Sequence, residues 1–495
     1  MTDFKFWIKD WTAYHRRTGN RQPTTSLELS VDRLLTPYRP IRRIGLISPT
    51  SGNLGNATMQ SAMIANLRKR IPGVEIVGIT LNPDDARRRH GIEAFPLAAV
   101  SRTNYALYTS DGTTWRPRDT RKFERIRQAL KRIPVFRSFL RAIRICAMEL
   151  THLVAAVRVV SKLDRVVVPG GGALDDFWGG PWGQPWAYFK WSVLSRVYGV
   201  PFLFVSIGKS PLHRPLSRFF FRVALRLAEY RSYRDPESKI GVQTLIDAHN
   251  DPVYPDLAFS YPCPVRQTAC NGARHHDRLT IGVSPIAYYD PRAWPLKDER
   301  RYAAYISQLA EMVKWLIKEG YRVLFFTTDH PDTATLDDVR AMIPGRAAAG
   351  DVIQILPGSP EQSPDTLLEG ISYADMTIAS RLHGVILSHL NTTPVLALSF
   401  DPKVDAHMNA TDQQDYCLSI DHLELETLIA RFNALNRARK RERDRLRSAA
   451  VRFRAELDLQ YDRILTTRHS TPMTGEYQDR MEGFQPAGIG SVRGK

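Results

Sequence analysis

Residues 41–82 read IRRIGLISPTSGNLGNATMQSAMIANLRKRIPGVEIVGITLN. RRIGLISP is a short apolar run between charges and a proline, which predicts a buried strand. TSGNLGN is a glycine loop, ATMQSAMIANLRKRI has the spacing of an amphipathic helix, and VEIVGITLN is a second apolar run. Strand, glycine loop, helix, strand opens a parallel α/β sheet, because parallel neighbours need a long crossover, usually a helix.

The alternation continues outward from this unit. RVVVPGGG (165–172) ends an apolar run in three glycines. A helix around Ala187–Tyr198 leads to VPFLFVSIG (200–208), and a helix around Ser217–Glu229 leads to YRSYRDPES (230–238). A second series follows: LTIGVSPI (279–286), a helix over Arg301–Glu319, YRVLFFTT (321–328), then DVIQIL (351–356), MTIAS (376–380) and TPVLALSF (393–400). Between the series, 263–278 holds proline, small and polar residues without periodicity and reads as a linker. The expected fold is α/β, with two Rossmann-like domains (41–262 and 279–421) facing a central cleft. Ligands of such sheets bind at the carboxyl ends of the strands. Residues 1–40 read as a leader with one amphipathic face (Phe4, Trp7, Trp11, Tyr14), 422–469 as a basic C-terminal helix, and 470–495 as a mobile tail.

At 495 residues the chain has room for two to four domains. Its 43% hydrophobic and 24% charged residues argue against wholesale disorder. The net charge of +18 points to anionic partners. Much of the excess sits in two stretches: 116–144 carries eleven Lys/Arg against Asp119 and Glu124, and 437–447 carries seven against Glu442 and Asp444. Both read as helices, either with a solvated charged face or, in the sharper reading, in peripheral contact with an anionic membrane. No zinc finger or aromatic RNA-binding signature supports a nucleic-acid partner, and none is expected. The four cysteines, Cys146, Cys263, Cys270 and Cys417, form no C-x-x-C pair, so neither a disulfide framework nor a zinc site is expected. MTDFKFWIKDWTAYHRR lacks an apolar signal region, and no apolar run is long enough to span a bilayer. The expected location is cytoplasmic, or peripheral at the cytoplasmic membrane face.

Strand-end loops carry the candidate chemistry. Gly52-Asn53-Leu54-Gly55-Asn56 would let backbone N–H groups approach an anion at a helix start; no Gly-Lys-Ser/Thr follows, so it is not a Walker A loop. Gly170-Gly171-Gly172 indicates a closely approached backbone, with Asp175 and Asp176 beyond it as sugar-hydroxyl ligands or helix caps. Arg234-Asp235 offers either a grip on a carboxylate or phosphate, or a structural ion pair. Ala379-Ser380-Arg381-Leu382-His383-Gly384 puts an arginine and a histidine at a helix N-terminus, where the dipole favours an anion. Phe400-Asp401-Pro402-Lys403 adds a cation at the next strand end, with a plain surface turn as its alternative.

GNLGN, VVVPGGGALDD, VSIG, YRSYRDPES, DPVYPDLAF, ASRLHG and SFDPKV, in this order from about Ile41 to Ile420, resemble the polysaccharide pyruvyl transferase family. ASRLHG with SFDPKV is the specific part. The resemblance implies a GT-B-like glycosyltransferase architecture. It also implies transfer of a pyruvyl group from phosphoenolpyruvate, as donor substrate with no other cofactor, to a saccharide as a cyclic ketal, in exopolysaccharide or cell-envelope glycan synthesis. His383 and Arg381 would be catalytic, with Arg234, Lys403, Ser380 and the glycine loops binding substrate and no metal needed. Bound anions would raise the pKa of His383 and keep its acid form near neutral pH. The basic helices and aromatic leader would suit an acceptor carried on a lipid. The sequence departs from the family pattern at Asn56 and Ala57, where two acidic residues are usual, and at Gly208-Lys209-Ser210-Pro211, usually GIGP. Two rivals stand beside this reading: a GT-B glycosyltransferase using a nucleotide sugar, and a non-catalytic family member acting as a scaffold.

Overall fold

The computed structural model describes residues 40–48, 53–99, 134–177, 179–262, 278–294, 296–343, 352–356 and 363–466. The aromatic leader, the basic stretch before residue 134, nearly all of 263–278, and the tail lie outside the described residues, as does Gly52.

Two six-stranded parallel sheets organise the molecule. The first is built from β1 (Arg43–Ser48), β2 (Glu75–Thr80), β3 (Glu93–Pro96), β4 (Arg165–Pro169), β5 (Phe202–Ile207) and β6 (Tyr230–Tyr233), in the order β3-β2-β1-β4-β5-β6. The second is built from β7 (Thr280–Ser284), β8 (Arg322–Phe326), β9 (Val352–Leu356), β10 (Met376–Ala379), β11 (Val395–Ser399) and β12 (Cys417–Ser419), in the order β12-β11-β10-β7-β8-β9. Each order reverses direction once, between β1 and β4 and between β7 and β10. Those are the crevices where such sheets bind ligands.

The inner strands read as apolar runs because both faces of each sheet are covered there. In the first sheet, Ile44, Leu46, Ile76, Val167, Leu203 and Val205 point to one core. Ile47, Val77, Ile79, Val166, Val168 and Phe204 point to another. This is the period-two alternation of a strand. The first core runs on into the second sheet through Ile281, Val283, Phe325 and Ile378, so the two sheets share one apolar mass.

Crossover helices connect the strands: α1 (Leu54–Arg70), α2 (Pro83–His90), α3 (Pro134–Val160), α4 (Gln184–Val197), α5 (Pro215–Leu227) and α6 (Pro236–Gln243) in the first half. The second half has α7 (Glu299–Lys318), α8 (Asp332–Ala341), α9 (Pro364–Ser372), α10 (Leu382–Leu390) and α11 (Pro402–Ala410). α1 starts earlier than the sequence pattern suggests. Asn53 caps it by accepting from the Asn56 N–H at 3.0 Å, so Leu54-Gly55-Asn56 is the first turn of a helix and not a loop.

The last helix, α12 (Leu425–Thr466), is 42 residues long and lies across both halves. Phe432 packs on Trp315 and Tyr321 beside the second sheet. Further along, Asp458 and Asp462 pair with Arg70 at 2.9 and 2.7 Å, and Tyr461 meets Ser260 at 2.8 Å. Several cations of the 437–447 stretch are paired locally: Arg441 and Arg445 with the buried Glu442, and Arg447 with Asp444. These contacts balance part of the stretch's charge within the helix.

Candidate active site

Strand ends from both halves meet at one place. The Leu54 N–H donates to the Thr328 carbonyl at 2.8 Å, and Asn53 Nδ2 donates to Asp329 Oδ2 at 2.9 Å. One residue along, the His383 ring lies against Gly55, where an added Cβ would collide with the ring atoms. The first turns of α1 and α10, one from each half, therefore face each other across the Gly55–His383 contact. Neither first turn carries an acid, and no side chain caps α10, whose N-cap residue is Arg381. Two positive helix ends thus converge on the imidazole.

His383 retains some exposure, but its Nε2 is sealed from solvent without a hydrogen-bond partner. Burial first, and then Arg234, Lys403 and Arg381, push its pKa down to about 4, against the opposing pull of Asp256. Without a bound anion the imidazole is therefore neutral at pH 7, because burial above all, and then the cations around it, disfavour its charged form.

The two arginines are engaged. Arg381 places Nε and Nη2 on the Asp332 carboxylate, the latter at 2.8 Å, and Nη1 on Asp329 at 3.3 Å. Burial raises the pKa of Asp329, which moderates its claim on the guanidinium. Arg234 lies between Asp256 at 3.3 Å and Asp235 at 3.4 Å, against Gly208. Neither presents an empty fork for an incoming anion. Lys403, partly exposed, pairs with Asp401 at 2.9 Å. Ser380 is buried and bonds Tyr305 at 2.8 Å.

Gly170 and Gly171 both take positive φ, +64° and +72°, and Asn56 lies beside Gly171. Gly172 is exposed, with open space where a side chain would begin. The two aspartates beyond them organise backbone. Asp175 accepts from the Phe177 N–H at 2.6 Å, and the buried Asp176 accepts from the N–H groups of His213 at 3.2 Å and Arg214 at 3.1 Å. Neither caps the helix that follows, whose N-cap residue Gly183 has no side-chain cap.

Sequence reasoning did not single out Asp256, Asp329, Asp332 or His407. His407 Nε2 meets His389 Nδ1 at 3.1 Å, with the His407 ring stacked on Phe259. Burial, helped by Arg234 and His383 and opposed by Asp256, lowers the His407 pKa to about 4; burial takes His389 well below the usual range. Among the described residues, no three His, Cys, Asp or Glu side chains come together as a metal site. No described helix is long and apolar enough to cross a membrane.

Residues 53–402 match the family model described as polysaccharide pyruvyl transferase, a span that runs from Asn53 past Arg381 and His383 and stops one residue short of Lys403. No curated protein matches the chain. Among solved structures, a UDP-N-acetylglucosamine 2-epimerase from Listeria monocytogenes is 11% identical. It superposes with a TM-score of 0.53, over 90% of this chain and 98% of that one. The UDP-GlcNAc 2-epimerase from Neisseria meningitidis bound to UDP-GlcNAc is 11% identical, with a TM-score of 0.50 over 86% of this chain and 100% of that one. At that identity the likeness is one of fold: two parallel-sheet domains in the GT-B arrangement.

Proposed function

The chain belongs to the polysaccharide pyruvyl transferase family, and we propose that it transfers a pyruvyl group from phosphoenolpyruvate to two hydroxyls of a saccharide, forming a cyclic ketal. One observation carries the reading. His383 sits on Gly55 between two helix N-termini without acidic first turns, with an unpartnered ring nitrogen. A small, highly charged anion beside a proton-transfer group suits that arrangement.

The donor's phosphate and carboxylate take the positive helix ends, with Lys403 exchanging Asp401 for the anion. Arg381 and Arg234 act through their charge while buried carboxylates hold their position. Bringing the donor's negative charge to His383 reverses the balance that depresses its pKa, so the imidazole gains its proton as the donor binds. His383 then protonates the methylene carbon. One acceptor hydroxyl adds to the adjacent carbon, the carbon–oxygen bond to phosphate breaks, and a second hydroxyl closes the ketal. Of the two hydroxyl protons, one ends on the new methyl group, by way of His383, and the other on phosphate. The cationic groups stabilise the charge that develops on the leaving phosphate.

The nucleotide-sugar reading draws support from the epimerase fold likeness alone, and fold does not decide chemistry. Thermal shift separates the two: phosphoenolpyruvate is expected to raise the melting temperature where a UDP-sugar does not. His383→Ala is expected to lower phosphate release about 10²–10⁴-fold, the usual worth of a general acid. Stabilisation by the UDP-sugar alone, or ordinary turnover by His383→Ala, would refute the proposal.

A further inference from the structure

The helices α3, α4 and α5 cover the face of the first sheet that carries Phe202, Phe204 and Ile207. Their inner sides are core, as expected. Their outer sides are also apolar. Leu150, Val154, Trp182, Val197, Leu216 and Phe219 are each 39–62% exposed. On α4 the half-buried Trp186, Phe189 and Val193 lead to the exposed Val197 at steps of three and four residues, a single helical stripe. The rings form a continuous ladder from Trp182 to Trp186 (5.8 Å), Phe189 (5.5 Å) and Phe219 (6.3 Å). Soluble surfaces seldom expose an apolar patch of this extent without a partner.

The charge around the patch has one sign. From Phe177 to Ala228 the sequence contains seven Lys/Arg and no Asp or Glu. Arg196, Arg214, Arg218 and Arg226 are exposed, and no carboxylate among the described residues pairs with them. The acid nearest the ladder, Glu149, is already bound by Lys190 at 2.6 Å and by the Trp186 indole at 2.8 Å.

We propose that this α3–α4–α5 face docks on an anionic lipid bilayer, with Trp182, Leu216 and Phe219 entering the headgroup boundary and the arginines engaging lipid phosphates. Aromatic and aliphatic side chains rimmed by arginine are what interfacial binding requires. Charge complementarity selects this occupant. A second copy would bring an equally cationic face against the first. The chain's own remaining segments do not supply counter-charge either: residues 1–40 hold seven Lys/Arg against four Asp/Glu, and 101–133 hold nine against three. The location fits the proposed chemistry. α4 and α5 start at the carboxyl ends of β4 and β5, and Asp176 ties the start of α5 to the Gly170–Gly172 loop. One end of the patch therefore borders the cleft, so a saccharide held at a bilayer surface would meet the site.

The test is co-sedimentation of the full chain with vesicles of phosphatidylcholine, or of phosphatidylcholine and phosphatidylglycerol in about equal parts. It needs neither donor nor acceptor, so it stands or fails separately from the pyruvyl-transfer reading. The wild-type protein is expected to bind the anionic vesicles and not the neutral ones. The pairs Leu216→Glu/Phe219→Glu and Arg218→Glu/Arg226→Glu are each expected to weaken binding at least tenfold, with circular dichroism and melting temperature unchanged. If the wild type stays in the supernatant, or both folded pairs bind as it does, the proposal is overturned. It is also overturned if the chain is a dimer that Leu216→Glu/Phe219→Glu converts to a monomer without affecting lipid binding, since a second copy would then be the occupant.

Discussion

Gly55 is a glycine because the His383 ring lies where its side chain would be. The constraint is one of space, not of backbone angle, and it makes the pair a sensitive probe. Gly55→Ala should push the ring away from the two helix ends. Phosphate release from phosphoenolpyruvate is expected to fall by about 10²-fold, the scale on which a small misplacement acts, while circular dichroism stays native. The proton account gives a second prediction. His383 has a pKa of about 4 in the free protein, so it is neutral at pH 7. If the bound donor raises that pKa, binding at pH 7 must take up a proton, and the uptake must shrink as the pH falls to 4, where the ring is already half charged, and vanish below it. Calorimetry in two buffers of different ionisation enthalpy reads this directly; His383→Asn should show no uptake from this group. The residues that carry the site were legible in sequence where a local pattern marks them, as in Ser380-Arg381-Leu382-His383. Their partners were not. Asp332 meets Arg381 across 49 residues, Asp329 meets Asn53 across 276, and each aspartate looks locally like a cap or a turn.

Most strands were legible because a strand buried on both faces is a short apolar run, as in Val166–Val168 and Phe202–Val205. The edge strands β3 and β12, with sequences EAFP and CLS, lack that run and drew no assignment. The path of α12 was also hidden, since its sequence marks a helix but not what it lies on. Gln460 is the case in point. It accepts from Ser206 Oγ at 3.0 Å and donates to Ser232 Oγ at 2.8 Å. Ser206 takes positive φ, at +49°, where β5 and β6 lose register. Gln460→Leu takes the acceptor from the buried Ser206 hydroxyl and leaves Ser232 Oγ with the Ser206 N–H at 2.9 Å; it is expected to destabilise the protein by about 1–3 kcal/mol, read as a lower denaturant midpoint. The α10–α11 contact adds a pH dependence. His383 and His407 titrate near 4 in the folded chain, and His389 lies well below its usual range, against about 6.5 unfolded. The unfolded state therefore binds more protons below pH 6.5. Stability should be full above that pH and fall as the pH drops through 6.5 toward 4. His407→Gln should make the fall shallower; an unchanged slope would remove His407 from the account.

At the scale of the whole molecule, the two sheets are joined at the cleft by Asn53–Asp329, Leu54–Thr328 and Gly55–His383, and behind it by α12. The reaction proposed here depends on that junction, because the imidazole comes from one half and its seat from the other. The most direct measurement is to incubate the purified protein with phosphoenolpyruvate and a panel of saccharides. Phosphate release and acceptor mass are followed together, with His383→Asn alongside. One class of saccharide is expected to gain the mass of pyruvic acid less one water, in step with phosphate release, and the variant to lose both. Equal product formation by His383→Asn, or an acceptor that instead gains a sugar from a nucleotide sugar, would contradict the proposed reaction.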